Sequence, residues 1–178
     1  MVECKSMHTP MEMNFKKLCG KVVGPSLANP TEYRELIGAL MFLVNTRLDI
    51  CFVVNTLSQH MIDPFHAHWI AAKHVFRYLH GTINLGLKYT AKNVRLHGYI
   101  DADWVGNSAD RKSTFGCFFS LGYAMISWMS RKWKSVALST TEAEYIAASM
   151  ASCDVVWLRE LFGELFDQVL DTIVMYCE

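Results

Sequence analysis

Apolar residues in the first half of the chain recur at helical spacing. From Thr31 onward the apolar positions share one face of a helix: Tyr33, Ile37, Leu40, Met41 and Val44. The same spacing continues over residues 49–61 and 64–80, and the second of these stretches has Asp63 as its N-cap and Pro64 as its first residue. Three helices with apolar faces packed against one another are therefore predicted.

The first thirty residues, by contrast, follow no hydrophobic period. They contain prolines and glycines at short intervals: Pro10, Gly20, Gly24, Pro25 and Pro30. These residues favour turns and extended backbone over helices and strands. We therefore expect residues 1–30 to form an extended, loosely held arm.

After Gly81 apolar residues come in short runs that are typical of strands. Strands are predicted over residues 85–89, 94–103, 116–121 and 124–128, with a tight hairpin turn at Gly122-Tyr123. A helix then begins at Ser139, because the spacing Ser139-x-x-Glu142 matches a capping box. Helical spacing returns over residues 155–162, and residues 172–177 are typical of one more strand.

This order of elements predicts a mixed α/β fold, in the sense of α+β. The change from helices to strands falls near residue 90, so three parts are expected: the arm at 1–30, a helical part at 31–90, and a sheet-containing domain at 91–178.

Composition narrows the class of protein. Of the 178 residues, 52% are hydrophobic and 19% are charged, which suffices for a folded core. Seventeen basic residues balance seventeen acidic ones, so the net charge argues neither for nor against a nucleic-acid partner. Six cysteines without a Cys-x-x-Cys pair, and an N-terminus unlike a signal peptide, predict an intracellular protein, cytoplasmic or nuclear, that is not secreted. No apolar run is long enough to span a membrane, so no membrane partner is expected.

Two carboxylates share the polar face of the strand predicted around Asp101. Alternation directs Asp101 and Asp103 to one face and Ile100 and Ala102 to the other. Spacing alone favours solvated side chains on a half-exposed strand. The alternative is a Mg²⁺ site, because Mg²⁺ in proteins is bound through one or two carboxylates together with water and phosphate.

On the predicted helix, Glu142 and Glu144 lie about 200° apart around the helix axis. At most one of them faces a site on the sheet, and the other is solvated or caps the helix. A strand aspartate and a helix glutamate meet only through tertiary contact, which spacing does not determine.

Eight segments occur together in an order that resembles the Pol polyprotein of copia-type retrotransposons. They are Met-His-Thr-Pro-Met-Glu at 7–12, Tyr-Arg-Glu-Leu-Ile-Gly-Ala-Leu at 33–40, Asn-Thr-Arg-Leu-Asp-Ile at 45–50, Arg-Tyr-Leu-His-Gly-Thr at 77–82, Gly-Tyr-Ile-Asp-Ala-Asp-Trp-Val-Gly at 98–106, Arg-Lys-Ser-Thr-Phe-Gly at 111–116, Ile-Ser-Trp at 126–128, and Leu-Ser-Thr-Thr-Glu-Ala-Glu-Tyr at 138–145. The resemblance implies that residues 31–90 are the tail of a reverse transcriptase with its connection. It implies a truncated ribonuclease H-like domain, a mixed sheet with flanking helices, for residues 91–178.

The resemblance also implies site residues. Asp101 matches the family's first catalytic aspartate and Glu144 its catalytic glutamate, whereas the third carboxylate is usually the aspartate of Cys-Asp-Asn, and here Cys177 is followed by Glu178. A fourth acidic residue, expected further downstream, has no counterpart in the sequence. The family uses two divalent ions, Mg²⁺ or Mn²⁺, to cut the RNA strand of an RNA/DNA hybrid. With Glu178 as an altered third ligand, we expect weak metal binding and little or no hydrolysis by this chain alone.

Further partners follow from the same resemblance and from local charge. A basic run with an interleaved tryptophan, Arg131, Lys132 and Lys134 around Trp133, is either a nucleic-acid contact or a solvated turn, with equal support. The remainder of the Pol polyprotein is a second expected partner, and an exposed sheet edge allows self-association. The sequence contains no Tyr-x-Asp-Asp motif, so polymerase activity is not expected. The alternative function is a non-catalytic nucleic-acid-binding or interaction module.

Overall fold

A computed structural model describes residues 4–12, 24–90, 95–103, 113–133, 137–167 and 172–177. The chain forms two compact units, residues 1–86 and 87–178. Within the described residues the first unit is helical, and the second combines a four-stranded mixed sheet with one long helix. The predicted mixed α/β fold is confirmed.

Within the residues that the structure describes, the helical unit contains three α-helices: α1 (Pro30–Val44), α2 (Cys51–Ser58) and α3 (His66–Gly81). A short 3-10 turn, Leu48–Ile50, precedes α2. Helix α1 begins at Pro30, one residue before the predicted start at Thr31, because the Asn29 side chain accepts a hydrogen bond from the Thr31 amide and Pro30 is tolerated in the first turn.

The core of this unit is formed by the apolar faces of the three helices. From α1 it includes Tyr33, Ile37 and Leu40, all fully buried. The Tyr33 hydroxyl donates to the Leu57 carbonyl at 2.8 Å, which satisfies the one polar group on this face. Met41, predicted on the same face, is 49% exposed, because it lies at the margin of the apolar stripe.

Helix α3 begins two residues later than predicted, and Asp63 is not its cap. Residues 25–27 lie against its start: the Leu27 amide donates to the Pro64 carbonyl, and the His66 amide donates to the Pro25 carbonyl. Asp63 instead accepts a hydrogen bond from the Ser26 hydroxyl. This pairing holds Pro64 and Phe65 extended, so the helix begins at His66.

Residues 4–12 of the predicted arm contain no helix or strand and lie along α3. The Met7 amide donates to the Arg77 carbonyl, and the Arg77 side chain donates to the Lys5 carbonyl at 2.8 Å. A Cβ at Gly81 would lie 2.8 Å from the Ser6 Cβ, so the glycine permits this close approach. These described residues are held by specific contacts, whereas the prediction was a loosely held arm.

The sheet unit contains β1 (Leu96–Asp103), β2 (Thr114–Leu121), β3 (Ala124–Lys132) and β4 (Val174–Cys177). Their order in the sheet is β3-β2-β1-β4, with β1, β2 and β3 antiparallel in sequence and β4 parallel to β1. The predicted hairpin is present, and Gly122 adopts the positive φ of 64° that its turn requires. The strand predicted at 85–89 is absent: these residues form no ladder with a neighbouring strand, and Leu85 and Tyr89 are about three-fifths exposed.

One long helix, α4 (Thr140–Phe166), follows β3 and packs on β1 and β2. The two helical stretches predicted around residues 139 and 155 are parts of this single helix. Its buried face is made largely of alanines, including Ala143, Ala147 and Ala151, which allow the helix to approach the sheet closely. Ile100 and Phe119 supply the larger side chains of this core.

Candidate functional site

The two faces of β1 differ in chemistry. Leu96 and Ile100 are buried beneath α4, whereas Tyr99 and Asp101 are exposed on the other side. Alternation along the strand accounts for this division. We call the side opposite α4 the open face, defined by Tyr99, Asp101 and the residues that pair with them.

Residues directly opposite one another on neighbouring strands share a face of the sheet. Asp101 pairs with Gly116 on β2, and Gly116 pairs with Ser130 on β3. One step further along, Thr114 of β2 pairs with Lys132 of β3. The open face therefore combines a carboxylate, hydroxyls and a lysine ammonium around a position that has no side chain.

An aromatic row crosses the open face one step back from Asp101. The Tyr99 ring stacks on Tyr176 at 5.0 Å and on Phe118 at 4.8 Å between ring centroids, and Trp128 pairs with Phe118. Tyr99 and Tyr176 are 37% and 48% exposed. The rings stabilise the sheet through their mutual contacts and give the open face a partly exposed apolar strip.

The two glutamates at the start of α4 have different roles. Ser139 caps the helix by accepting from the Glu142 amide at 3.1 Å, and a Glu142 carboxylate oxygen accepts from the Leu138 amide at 2.6 Å. The N-cap predicted at Ser139 is confirmed, whereas the Glu142 carboxylate accepts from the Leu138 amide and not from the Ser139 amide that a capping box uses. Glu142 is thus committed to the cap, whereas Glu144 is exposed.

Asp101 and Glu144 lie towards the same end of the sheet. Because β3 and β1 both run antiparallel to β2, they are parallel to each other, and α4 starts from the end where β1 finishes. The two carboxylates nevertheless belong to elements on different sides of the sheet, since α4 covers the face that Asp101 points away from. Within the described residues no three acidic, histidine or cysteine side chains cluster to hold a metal ion.

Other predicted site residues have mixed outcomes. Glu178 and Lys134 lie outside the described residues, and nothing is described of the Asp103 side chain. Arg131 is exposed and Lys132 is half-buried, and alternation along β3 directs them to opposite faces. Only Lys132 shares the open face with Asp101. The run of basic residues in the sequence did not indicate that Arg131 and Lys132 lie on opposite faces.

Trp133, inside the same basic run, belongs to the core. It is 7% exposed and meets Phe115 edge to face at 6.2 Å. The ring therefore packs within the cluster beneath α4, and its position does not distinguish a nucleic-acid contact of the basic run from a solvated one.

In the helical unit, two of the segments that carry the resemblance meet in a polar cluster. Arg47 forms an ion pair with Asp49 at 2.7 Å and donates to the Thr82 hydroxyl at 2.7 Å, while the Tyr78 hydroxyl donates to Asp49 at 2.6 Å. Burial raises the pKa of Asp49, but the hydrogen bonds from Arg47 and Tyr78 outweigh it and hold that pKa below its usual value. The sequence analysis did not predict this cluster, because its members are distant in the sequence: Arg47 and Thr82 are 35 positions apart.

A groove of about 570 Å³ adjoins this cluster. Its walls are mainly apolar, from Leu43, Phe76, Leu79, Ile83 and Leu85. Arg47, at its polar margin, is already bonded to Asp49 and Thr82, so no set of reactive groups converges there.

Within the described residues, no helix is both long and apolar enough to span a membrane.

Comparisons with known proteins identify close relatives. The chain is 41% identical over 179 residues to the "Retrovirus-related Pol polyprotein from transposon RE2" of Arabidopsis thaliana, and 37% identical over 185 residues to that from transposon TNT 1-94 of Nicotiana tabacum. Both matches cover the whole chain but only 12% and 14% of the polyproteins. A Plasmopara viticola protein named "Secreted RxLR effector protein 161" is 47% identical over 128 residues, which are 71% of this chain and 90% of that protein. No family model and no solved structure matches the chain.

Proposed function

The chain belongs to the retrovirus-related Pol polyproteins of copia-type transposons, and from that premise we propose that residues 87–178 form a ribonuclease H-like domain acting on RNA/DNA hybrids. The matched polyproteins are about eight times longer than this chain, as the 12% coverage indicates. The chain thus corresponds to one segment of such a polyprotein, and its own activity is inferred from its residues.

One observation carries the proposal. The two carboxylates that match the family's catalytic pair, Asp101 and Glu144, are both exposed and both lie towards the end of the sheet where β1 finishes. The mixed sheet with a helix packed on it agrees with the domain that the resemblance implies. Glu142, the other candidate on α4, is occupied by its cap and is therefore set aside.

The available donors suit a hard divalent cation. Asp101 and Glu144 offer carboxylate oxygens, which Mg²⁺ and Mn²⁺ prefer, and Mg²⁺ is commonly held by one or two carboxylates with water and substrate phosphates completing its shell. Bound there, the ions would activate water and stabilise the leaving oxygen of the RNA strand. Within the described part of the chain the set comprises two carboxylates, and Asp101 points away from the face that α4 covers. We therefore propose that ions bind weakly at the end of the sheet, beyond its last paired residues, and that the hybrid's phosphates strengthen this binding.

Low hydrolytic activity follows from the same donor set. Two-metal hydrolysis requires several carboxylates in fixed positions, and Glu178 is the remaining candidate for a third. We propose that the 178-residue chain by itself binds a hybrid and cleaves it slowly or not at all. Its helical unit is proposed to be the reverse-transcriptase tail with its connection, whose partner is the remainder of the Pol polyprotein. A hybrid substrate implies a working compartment inside the cell, cytoplasmic or nuclear.

A cleavage assay on a labelled RNA/DNA hybrid tests the proposal. The full chain is incubated with Mg²⁺ or Mn²⁺, beside Asp101→Asn and the control Asp167→Asn, which changes an exposed aspartate at the far end of α4. Asparagine tolerates the left-handed backbone of residue 167, so the control retains the fold. We expect cleavage near background, with any residual activity lost only in Asp101→Asn.

The outcomes separate the two parts of the proposal. Rapid cleavage that disappears in Asp101→Asn supports the ribonuclease H assignment and contradicts the low activity. Cleavage that survives in Asp101→Asn contradicts the assignment itself. Hybrid binding without cleavage agrees with the proposal and with the non-catalytic alternative, which the ion dependence of binding then distinguishes.

A further inference from the structure

Two glycines on the central strands have different physical explanations. A Cβ at Gly98 would lie 2.5 Å from the Met175 sulfur and 2.9 Å from the Phe119 ring, so neighbouring side chains require glycine there. A Cβ at Gly116 would meet nothing closer than the Met129 carbonyl oxygen at 3.8 Å, an ordinary contact. The fold therefore does not require glycine at position 116.

Backbone conformation does not explain Gly116 either. Among the described glycines only Gly122 has a positive φ, and the register shift in β2 lies at Phe119 and Ser120, away from Gly116. Glycine inside a strand weakens the strand, and where no bulge or turn explains it, it often marks a place where a ligand approaches the backbone closely.

The surroundings of Gly116 indicate what approaches it. It lies between Asp101 and Ser130 on the open face, with Thr114 and Lys132 one step further along the strands. We call this gap the Gly116 notch. On its other side runs the aromatic row through Tyr99.

A sugar–phosphate backbone matches this arrangement. Hydroxyls and a lysine ammonium are common partners of phosphate oxygens, and an ion held at Asp101 adds positive charge on the remaining side. The aromatic row provides an apolar surface beside the backbone's path, the combination found where proteins track nucleic-acid strands. An apolar helix is a poor match, since it would bury the exposed Asp101 carboxylate without offering it a polar partner.

We infer that the Gly116 notch is the place where one strand of the hybrid lies closest to the sheet, with Ser130, Thr114 and Lys132 contacting its phosphates. Because Gly116 has no side chain, the sugar–phosphate backbone of the hybrid approaches the sheet closely enough to lie beside the Asp101 carboxylate. This inference deepens the proposed function and rests on it. It also assigns different roles to the adjacent Lys132 and Arg131, because only Lys132 lies on the open face.

A size series at position 116 tests the steric part. Gly116→Ala and Gly116→Val in the full chain are compared with wild type and with Gly86→Val, which adds the same bulk where no atom lies within 4 Å. Thermal melting should be unchanged or raised, because a strand position gains a better strand former. Affinity for a short labelled hybrid, measured by fluorescence anisotropy with Ca²⁺, should fall several-fold for alanine and at least about tenfold for valine. Gly86→Val should bind like wild type.

The proposed contact between Lys132 and phosphate is tested by a matched pair of variants on β3. Lys132→Gln should reduce the dependence of log affinity on log salt by about one, whereas Arg131→Gln should leave that slope unchanged. Equal effects of the two changes would overturn the assignment of Lys132 to the contact surface. If Gly116→Val lowers the melting temperature, the comparison of Lys132→Gln with Arg131→Gln still tests the inference.

Failure of this inference differs from failure of the proposed function. If the wild-type chain binds the hybrid and all of the Gly116 and Lys132 variants bind equally well, the notch is not the contact and the proposed function stands. If the wild-type chain shows no hybrid binding at low salt, the proposed function and the inference are both wrong.

Discussion

At the residue scale, Asp49 shows how a charged side chain is used within the helical unit. It accepts hydrogen bonds from Arg47, which precedes the 3-10 turn, and from Tyr78 of α3, and so joins the turn before α2 to α3. Since the Asp49 side chain is about one-third exposed, the ion pair is partly screened by solvent and stabilises the fold modestly.

Replacing Asp49 should therefore weaken the fold by a limited amount. We expect Asp49→Asn to lower the free energy of unfolding by about 1 kcal/mol, because Arg47 and Tyr78 lose a charged acceptor. Chemical denaturation of the full chain measures this, with Asp167→Asn as the control.

The same residue predicts a pH dependence. The folded-state pKa of Asp49 lies below its ordinary value of 3.8. Its contribution is therefore fully present above the unfolded-state pKa and is lost as the pH falls through the lower folded-state pKa. The stability difference between wild type and Asp49→Asn should shrink below about pH 4, and a difference that grows on acidification would contradict the role given to this carboxylate.

At the same scale, the site was predictable from the sequence only in part. Alternation correctly directed Asp101 away from the core, and the capping pattern identified the start of α4. Spacing left open which of Glu142 and Glu144 serves the cap, and the hydrogen bond from the Leu138 amide decides it. The roles of Gly98 and Gly116 were not predictable, because they depend on neighbouring strands.

At the element scale, elements with local signals formed where predicted and those that depend on tertiary contact did not. The β2–β3 hairpin follows from Gly122, and α1 begins within one residue of Thr31, where its apolar spacing predicted the start. Asp63 is a good N-cap residue, but pairing of residues 64–66 with 25–27 moves the start of α3. Likewise, the strand-like residues 85–89 have no neighbouring strand to pair with.

Two glutamates and two glycines make this distinction between local and tertiary signals testable. Glu142→Ala should lower the stability of α4 by about 1 kcal/mol, since the helix loses one side of its cap, whereas Glu144→Ala should change it by less than about 0.5 kcal/mol. Thermal and urea unfolding of both variants measure the difference. Equal losses would mean that Glu144 also has a structural role.

For the strands, Gly98→Ala should destabilise the sheet unit by about 1–3 kcal/mol, because the new methyl group overlaps Met175 and Phe119. Gly116→Ala, one strand away, should be neutral or stabilising. If both glycines prove equally sensitive in urea titrations, the steric distinction between them is wrong.

At the scale of the whole molecule, the strands that the structure describes leave two edges of the sheet, β3 and β4. Val174, Tyr176 and Cys177 of β4 are exposed, and unpaired strand edges favour pairing between molecules. We expect concentration-dependent self-association that Tyr176→Lys reduces, because edge charges oppose strand pairing. Sedimentation analysis over a range of concentrations measures it, and a monomer at all of them would contradict this expectation.

The central claim is that Asp101 and Glu144 bind divalent ions together with a hybrid substrate. Its most direct test is the affinity of the full chain for an RNA/DNA hybrid with and without Mn²⁺. We predict that Mn²⁺ strengthens wild-type binding, that Asp101→Asn and Glu144→Gln lose this gain, and that Glu164→Gln, an exposed glutamate further along α4, retains it. An equal gain in all four proteins would contradict the claim.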